Sequence, residues 1–450
     1  CHGPQVSQLH GSLNIPFAQG RVSYKAEACA TCHASGSGHH IYSEWNTQAP
    51  VNDAGVKMGH SNRGMIALGS SATGLSSSCG RCHTAQGYTL YSDLLKQGKV
   101  ALNSVPSATL ASITTANAEP VTCVACHDPH DATNPQQLRF YGDTPLLPGG
   151  FAGYGMGKGA VCLSCHNSRN GAQGTSDTLT YLHEDGETYN SGNPTAYSAP
   201  HQAAQGDLFM GRNAYFMGTS LPLLSKHAAI EDTCVGCHMT LQPKTHLSHG
   251  TPAKSEHLFR IEDEDLQTLC SNCHGANVNG EAIQSQIETL LTNLTTKMGN
   301  AVKAKANAVA GGSIRVRAYD ATTDFYSTAS TSTSNVLIDV TANPITSVGI
   351  EEIHGQIGFV LTFTNPVLGV PFVDAAGNAA PSKDMQTIAV QMGSLKDNQA
   401  TPAALYALTG NMVRAGWNYF LVEGDQSKGL HNPTFATAVL NNSIAKDLSN

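Results

Sequence analysis

The chain has 450 residues, a formal net charge of −8 and only 13% charged side chains, which allows one large domain or two to three ordinary ones. No run of Lys and Arg offsets the acidic balance, which excludes a nucleic-acid-binding surface, and no stretch of eighteen apolar residues is present, which excludes a transmembrane helix. The hydrophobic fraction of 40% is thin for a core of this length, so something besides side chains is expected to fill the interior.

The chain begins at Cys1. A mature chain starting with cysteine resembles a bacterial lipoprotein, whose first cysteine carries lipid and holds a soluble domain to a membrane. An arbitrary start is the plainer alternative.

Residues 1–280 hold the other twelve cysteines in six copies of one pattern: CATCH (29–33), CGRCH (79–83), CVACH (123–127), CLSCH (162–166), CVGCH (234–238) and CSNCH (270–274). The composition predicts about 0.02 copies by chance, so six are not accidental. Three chemistries compete for such a segment. Zinc would take thiolates four to a metal, and a disulfide framework would take them in pairs, but neither accounts for a His after every second Cys. Covalent haem accounts for all three residues: the thiols add across the two vinyl groups and the adjacent His supplies an imidazole to the iron. The cofactor-binding residues are therefore Cys29, Cys32, Cys79, Cys82, Cys123, Cys126, Cys162, Cys165, Cys234, Cys237, Cys270 and Cys273. The proximal ligands are His33, His83, His127, His166, His238 and His274. Six covalently attached haem c groups, each a large apolar plate, explain the thin core; the chain without them is not expected to fold. Such haems are attached outside the cytoplasm, so the protein is expected to be exported.

Of 20 histidines, 14 remain after the proximal six. Imidazole is the commonest metal-ligating side chain, and bis-His ligation lowers the potential and closes the iron to substrate. Local context singles out His60, His130, His201, His227, His257 and His431 as ligands on the opposite face. His130 follows Pro129, which turns it away from its own haem. His227 stands seven residues before the fifth motif, and His431 precedes a helix start with Asn432 as cap and Pro433 in the first turn. His10, His183, His246, His249 and His354 read as ordinary surface or supporting residues, as do His39 and His40. None of the ten Met recurs at a fixed place relative to the motifs.

Residues 281–309 repeat apolar positions at helical spacing (Ile283, Ile287, Leu290, Leu291, Leu294, Met298 and Val302). Gly311 and Gly312 follow as a terminator, so 281–312 is read as a packing helix. Residues 313–395 change character: SIRVRAYD, NVLIDVT, IGFVLTFT and TIAVQMG alternate as strands, predicting a small haem-free β-rich domain or insertion. Residues 396–450 read as C-terminal helices returning to the haem core, one over 400–425 with Thr401 as cap and one from Asn432 onward. The fold class is thus a mainly α and irregular multihaem cytochrome c core organised around six covalent haems, with a β-rich addition.

The six motifs, with CVACHDPHDATNPQQLR, PHQAAQGDLFMG and GDQSKGLHNPTFATAVLNNSI, resemble the multihaem cytochromes c of the group that includes nitrite reductase, hydroxylamine oxidoreductase and octahaem tetrathionate reductase. The resemblance covers residues 1–280 and 400–450. It implies closely spaced haems in stacked and perpendicular pairs. In haem density and export the chain also resembles surface cytochromes of metal-respiring bacteria, some of which form conductive filaments. The C-x-x-C-K site of the nitrite reductases is absent, so no catalytic residue is carried over. The expected role is electron transfer at the outer membrane or cell surface, with other multihaem cytochromes, an outer-membrane conduit or metal oxide as partners, and with self-assembly as a further contact. A reductase of a small nitrogen or sulfur oxyanion and a filament subunit are the alternatives.

Overall fold

The computed structural model describes residues 23–33, 41–46, 59–99, 105–169, 171–172, 180–182, 188–190, 197–217, 224–239, 256–261, 263–275, 279–328, 336–374 and 376–450. Cys1, His10, His39, His40, His183, His246 and His249 lie outside these residues, as does the side chain of Cys32. The chain divides into two units. The first comprises residues 1–166, 184–186 and 226–279; the second comprises 167–183, 187–225 and 280–450. All six motifs fall in the first unit. Residues 167–183 and 187–225, between the fourth and fifth motifs, cluster with the second.

The first unit is built from short helices joined by irregular chain. Helical segments run over Glu27–His33, Gly80–His83, Cys123–Cys126, Ala160–Leu163, Cys234–His238 and Asp263–His274, so every motif sits in or at the end of a helical turn. Helix Ala85–Lys96 follows the second motif, and its cap Thr84 accepts the N–H of Gly87 (3.0 Å).

The second unit has its own apolar core. Helix α1 (Glu281–Asn307) buries Ile287, Leu294, Met298 and Val302 along one stripe, and Gly311 and Gly312 beyond it take left-handed φ of 84° and 65°. The strands that follow are β1 (Ser313–Val316), β2 (Tyr319–Asp320), β3 (Phe325–Tyr326), β4 (Val336–Asp339), β5 (Ile345–Ile353), β6 (Gln356–Val373), β7 (Ala379–Gln391) and β8 (Leu395–Asp397). They form two antiparallel sheets. One is ordered β5-β6-β7-β2-β3, with β3 also touching β6, and the other β8-β1-β4. Alternation sets the buried face of β6, where Ile357, Phe359, Leu361 and Phe363 turn inward. Helix α1 lies directly on β5: a Cβ at Gly299 would stand 2.4 Å from the Val348 carbonyl oxygen, so only glycine permits the approach.

Two C-terminal helices, α2 (Asn411–Glu423) and α3 (Pro433–Ala445), complete this core. Trp417 is fully buried and donates its indole N–H to Asn213 O (2.7 Å). Asn418 accepts from Tyr215 N (2.8 Å) and donates to Ser443 Oγ (2.9 Å). Asn432 caps α3 as its sequence predicts, accepting from Phe435 N. The helix expected over 400–425 begins only at Asn411. Residues 403–405 bond back to β8 instead, with Asp397 N on Ala403 O (3.0 Å) and Leu405 N on Leu395 O (2.9 Å), so their backbone groups are already committed. Among the described residues no helix is long and apolar enough to cross a membrane.

Candidate haem sites

Among the described residues, the helical turn of a motif sets its two cysteines three apart, a spacing that shares one helical face. The backbone of the middle motifs repeats one bond: the histidine N–H donates to the first cysteine carbonyl, His83 to Cys79 (3.1 Å), His127 to Cys123 (2.9 Å) and His166 to Cys162 (2.9 Å). The turn thereby fixes His directly after the second Cys. None of the eleven described motif cysteines is in a disulfide. Among the described residues no group of three or more His, Cys, Asp or Glu is arranged to hold a metal ion. Burial pushes the Cys126 thiol up to about 11 and raises Cys237 and Cys270 in the same direction.

The histidines carry the most telling geometry. His60 and His166 face each other with ring centres 6.1 Å apart, His127 and His257 at 6.4 Å, and His227 and His274 at 6.1 Å. A ligating imidazole nitrogen lies about 2 Å from its metal and about 1.1 Å from its own ring centre, so two imidazoles sharing one iron stand about 6.2 Å apart, centre to centre. Direct ring packing reaches the same range, as Tyr88 and Tyr91 do at 6.4 Å, so what sets these pairs apart is which residues form them. In each of the three pairs one partner is the histidine of a motif (the fourth, third and sixth), and the other comes from far along the chain. The residues present thus fit a covalently held haem between two imidazoles.

Electrostatics and hydrogen bonding agree with that fit. Burial, reinforced by His166 and His257, lowers His60 to about 4, so its ring is a neutral donor. His127 is lowered as well, first by burial. Its Nδ1 bonds to the Gln136 carbonyl oxygen (2.7 Å), which fixes the tautomer and leaves Nε2 for an iron. Gln136 and Gln137 hold φ of 53° and 59° to present that carbonyl. His257 is anchored through its backbone N–H on Glu44 (3.1 Å).

The remaining candidates are placed differently. His130 is exposed in the turn after the third motif, its N–H on Asp128 Oδ1 (3.1 Å). His201 is exposed, with its N–H on Ser168 O (3.2 Å), and His431 bonds through Nδ1 to the fully buried Asp425 (2.5 Å). Both belong to the second unit, which contains no motif. His354 bonds to Asp324 (2.7 Å) beside Tyr319 and Tyr326, an ordinary polar contact. Sequence reasoning overlooked Phe259, which lies against both His60 and His257; two residues from a candidate histidine, it carried no signal of its own.

Residues 116–171, which span the third and fourth motifs, match the Doubled CXXCH motif family, and the chain carries covalently bound c-type haem. No curated protein matches the sequence. Two solved structures are similar in part. The outer cell wall cytochrome OcwA is 18% identical with a TM-score of 0.40, over 92% of this chain and 51% of its own. An undecahaem cytochrome from the S-layer of Carboxydothermus ferrireducens is 20% identical with a TM-score of 0.35, over 63% and 39%. The chain therefore spans about half the length of the first, and at these scores neither likeness carries the assignment.

Proposed function

We propose that this multihaem c-type cytochrome holds six haems, one per motif, and carries electrons among them at the outer surface of the cell. Its acceptors would be other cytochromes, an outer-membrane conduit or an extracellular metal oxide. The observation that carries the reading is that three motif histidines, His166, His127 and His274, each face a second histidine at a separation that would accommodate one iron. At these three motifs the second imidazole would occupy the position a substrate needs, which there favours electron transfer over reduction of a small oxyanion. When bound, the haem supplies one-electron chemistry. The chain's own residues supply paired imidazoles, neutral at His60, a fixed tautomer at His127 and a shell of low charge density that helps set the potentials. His33, His83 and His238 would serve the other three motifs, with His130, His201 and His431 among the candidates for their second ligands.

Intact mass and a pyridine haemochrome assay on the natively matured protein should give six haems per chain. Electron paramagnetic resonance of the oxidised protein should give low-spin iron throughout, with no change on adding cyanide. A haem count other than six, or a cyanide-sensitive high-spin iron, overturns the proposal.

A further inference from the structure

We infer that the haem at the fourth motif (Cys162–His166) is the junction of the network, adjacent to those at the second, third and fifth motifs, whereas the first, second and sixth motifs hold its three ends. The inference deepens the reading above, since it takes each motif to carry a haem.

Each adjacency stands on its own contacts. Between the second and fourth motifs, Tyr88, on the helix that follows Cys82 and His83, bonds to Ser164, which lies between the two cysteines of the fourth motif (2.5 Å). The thiols of Cys82 and Cys165 are also within hydrogen-bonding reach. Between the fourth and fifth motifs, Thr233 donates its hydroxyl to Met156 O (2.8 Å), and Lys158 pairs with Asp232 (2.7 Å). Gly159 lies so close that a Cβ there would stand 2.1 Å from Thr233 Oγ1 and 3.1 Å from Cys234 N. The thiols of Cys162 and Cys234 meet in consequence. Between the third and fourth motifs, Phe259 bridges the two imidazole pairs, 4.4 Å from the ring of His60 and 5.7 Å from that of His257.

The ends follow from the same kind of contact. Thr122, just before the third motif, donates to Tyr24 O (2.6 Å), and Trp45 donates to Val121 O (2.9 Å). These bonds tie the first motif to the third, where the thiols of Cys29 and Cys123 meet. The sixth motif is reached through its imidazole pair: His274 faces His227, seven residues before the fifth motif. The sulfurs of Cys237 and Cys270 sit close enough to influence each other. A thioether sulfur marks the edge of its porphyrin, so sulfurs that meet mark porphyrin edges that meet. One motif with three such neighbours makes a branched network, not a single file.

The test uses the full haem-loaded chain. His60→Ala should turn one iron high-spin, and its larger spin moment should broaden the resonances of three other haems. His227→Ala should likewise create one high-spin iron but broaden only one neighbour. Equal numbers of broadened signals in the two variants overturn the junction. A His60→Ala protein with no high-spin iron instead counts against the imidazole pairing beneath it. The arrangement is then read from the unsubstituted protein by paramagnetic NMR during stepwise reduction, where each haem's shifts report the oxidation of its neighbours. One haem with three strongly coupled neighbours supports the junction, and a network in which no haem has more than two overturns it.

Discussion

Asp207 offers a sharp test of the second unit. It is fully buried, accepts Ser168 N (2.7 Å) and Ser168 Oγ (2.6 Å), and accepts Asn213 Nδ2 (2.5 Å). Burial outweighs these bonds and pushes its carboxyl from the usual 3.8 up to about 6. A raised acid contributes its stability fully below pH 3.8 and loses it as pH rises through about 6. A gap of about two pKa units corresponds to about 3 kcal/mol between the acid limit and neutral pH, and about 1.3 kcal/mol of it falls between pH 5 and 7. The perturbation is Asp207→Asn, which keeps the shape and cannot ionise. Guanidinium unfolding followed by far-ultraviolet circular dichroism at pH 5, 6 and 7 gives the stability of wild type and variant. The wild type should lose about 1.3 kcal/mol more than the variant across that range. Parallel pH dependences would refute the reasoning, because the ionisation would then cost the fold nothing.

Trp417→Ala should destabilise the second unit by about 3–5 kcal/mol, since it empties a fully buried site and orphans the Asn213 carbonyl; the haem count by haemochrome should not fall. Gly159→Ala drives a Cβ against Thr233 and the Cys234 backbone. It should lower the stability of the first unit by about 1–3 kcal/mol, read from the Soret band during thermal unfolding. His257→Ala should convert one low-spin iron to high-spin, and added imidazole should restore it; an unchanged spectrum removes the pairing with His127. A chain matured without haem attachment should keep the protease resistance and β-rich dichroism of residues 280–450 while residues 23–166 are digested. The apolar core cluster lies wholly in the second unit; digestion of residues 280–450 as well would instead support the dependence on haem expected for the whole chain.

The sequence alone determined the chemistry, because covalent attachment is local: two cysteines three apart and the histidine after them are set by a single helical turn. It also determined α1, the alternating face of β6 and the Asn432 cap, all features whose partners lie within a few residues or repeat at a fixed period. Only tertiary structure decided which imidazole meets which. His60 and His166, His127 and His257, and His227 and His274 are joined across 47 to 130 residues of chain, and no spacing rule reaches that far. The late start of α2 has the same cause: residues 403–405 have the composition of a helix, but their hydrogen bonds went to β8, a partner that exists only once the sheet has formed. The division into a motif-bearing unit and one with an apolar core of its own likewise depends on residues 167–183 and 187–225 clustering with the second unit, which the linear order of motifs conceals.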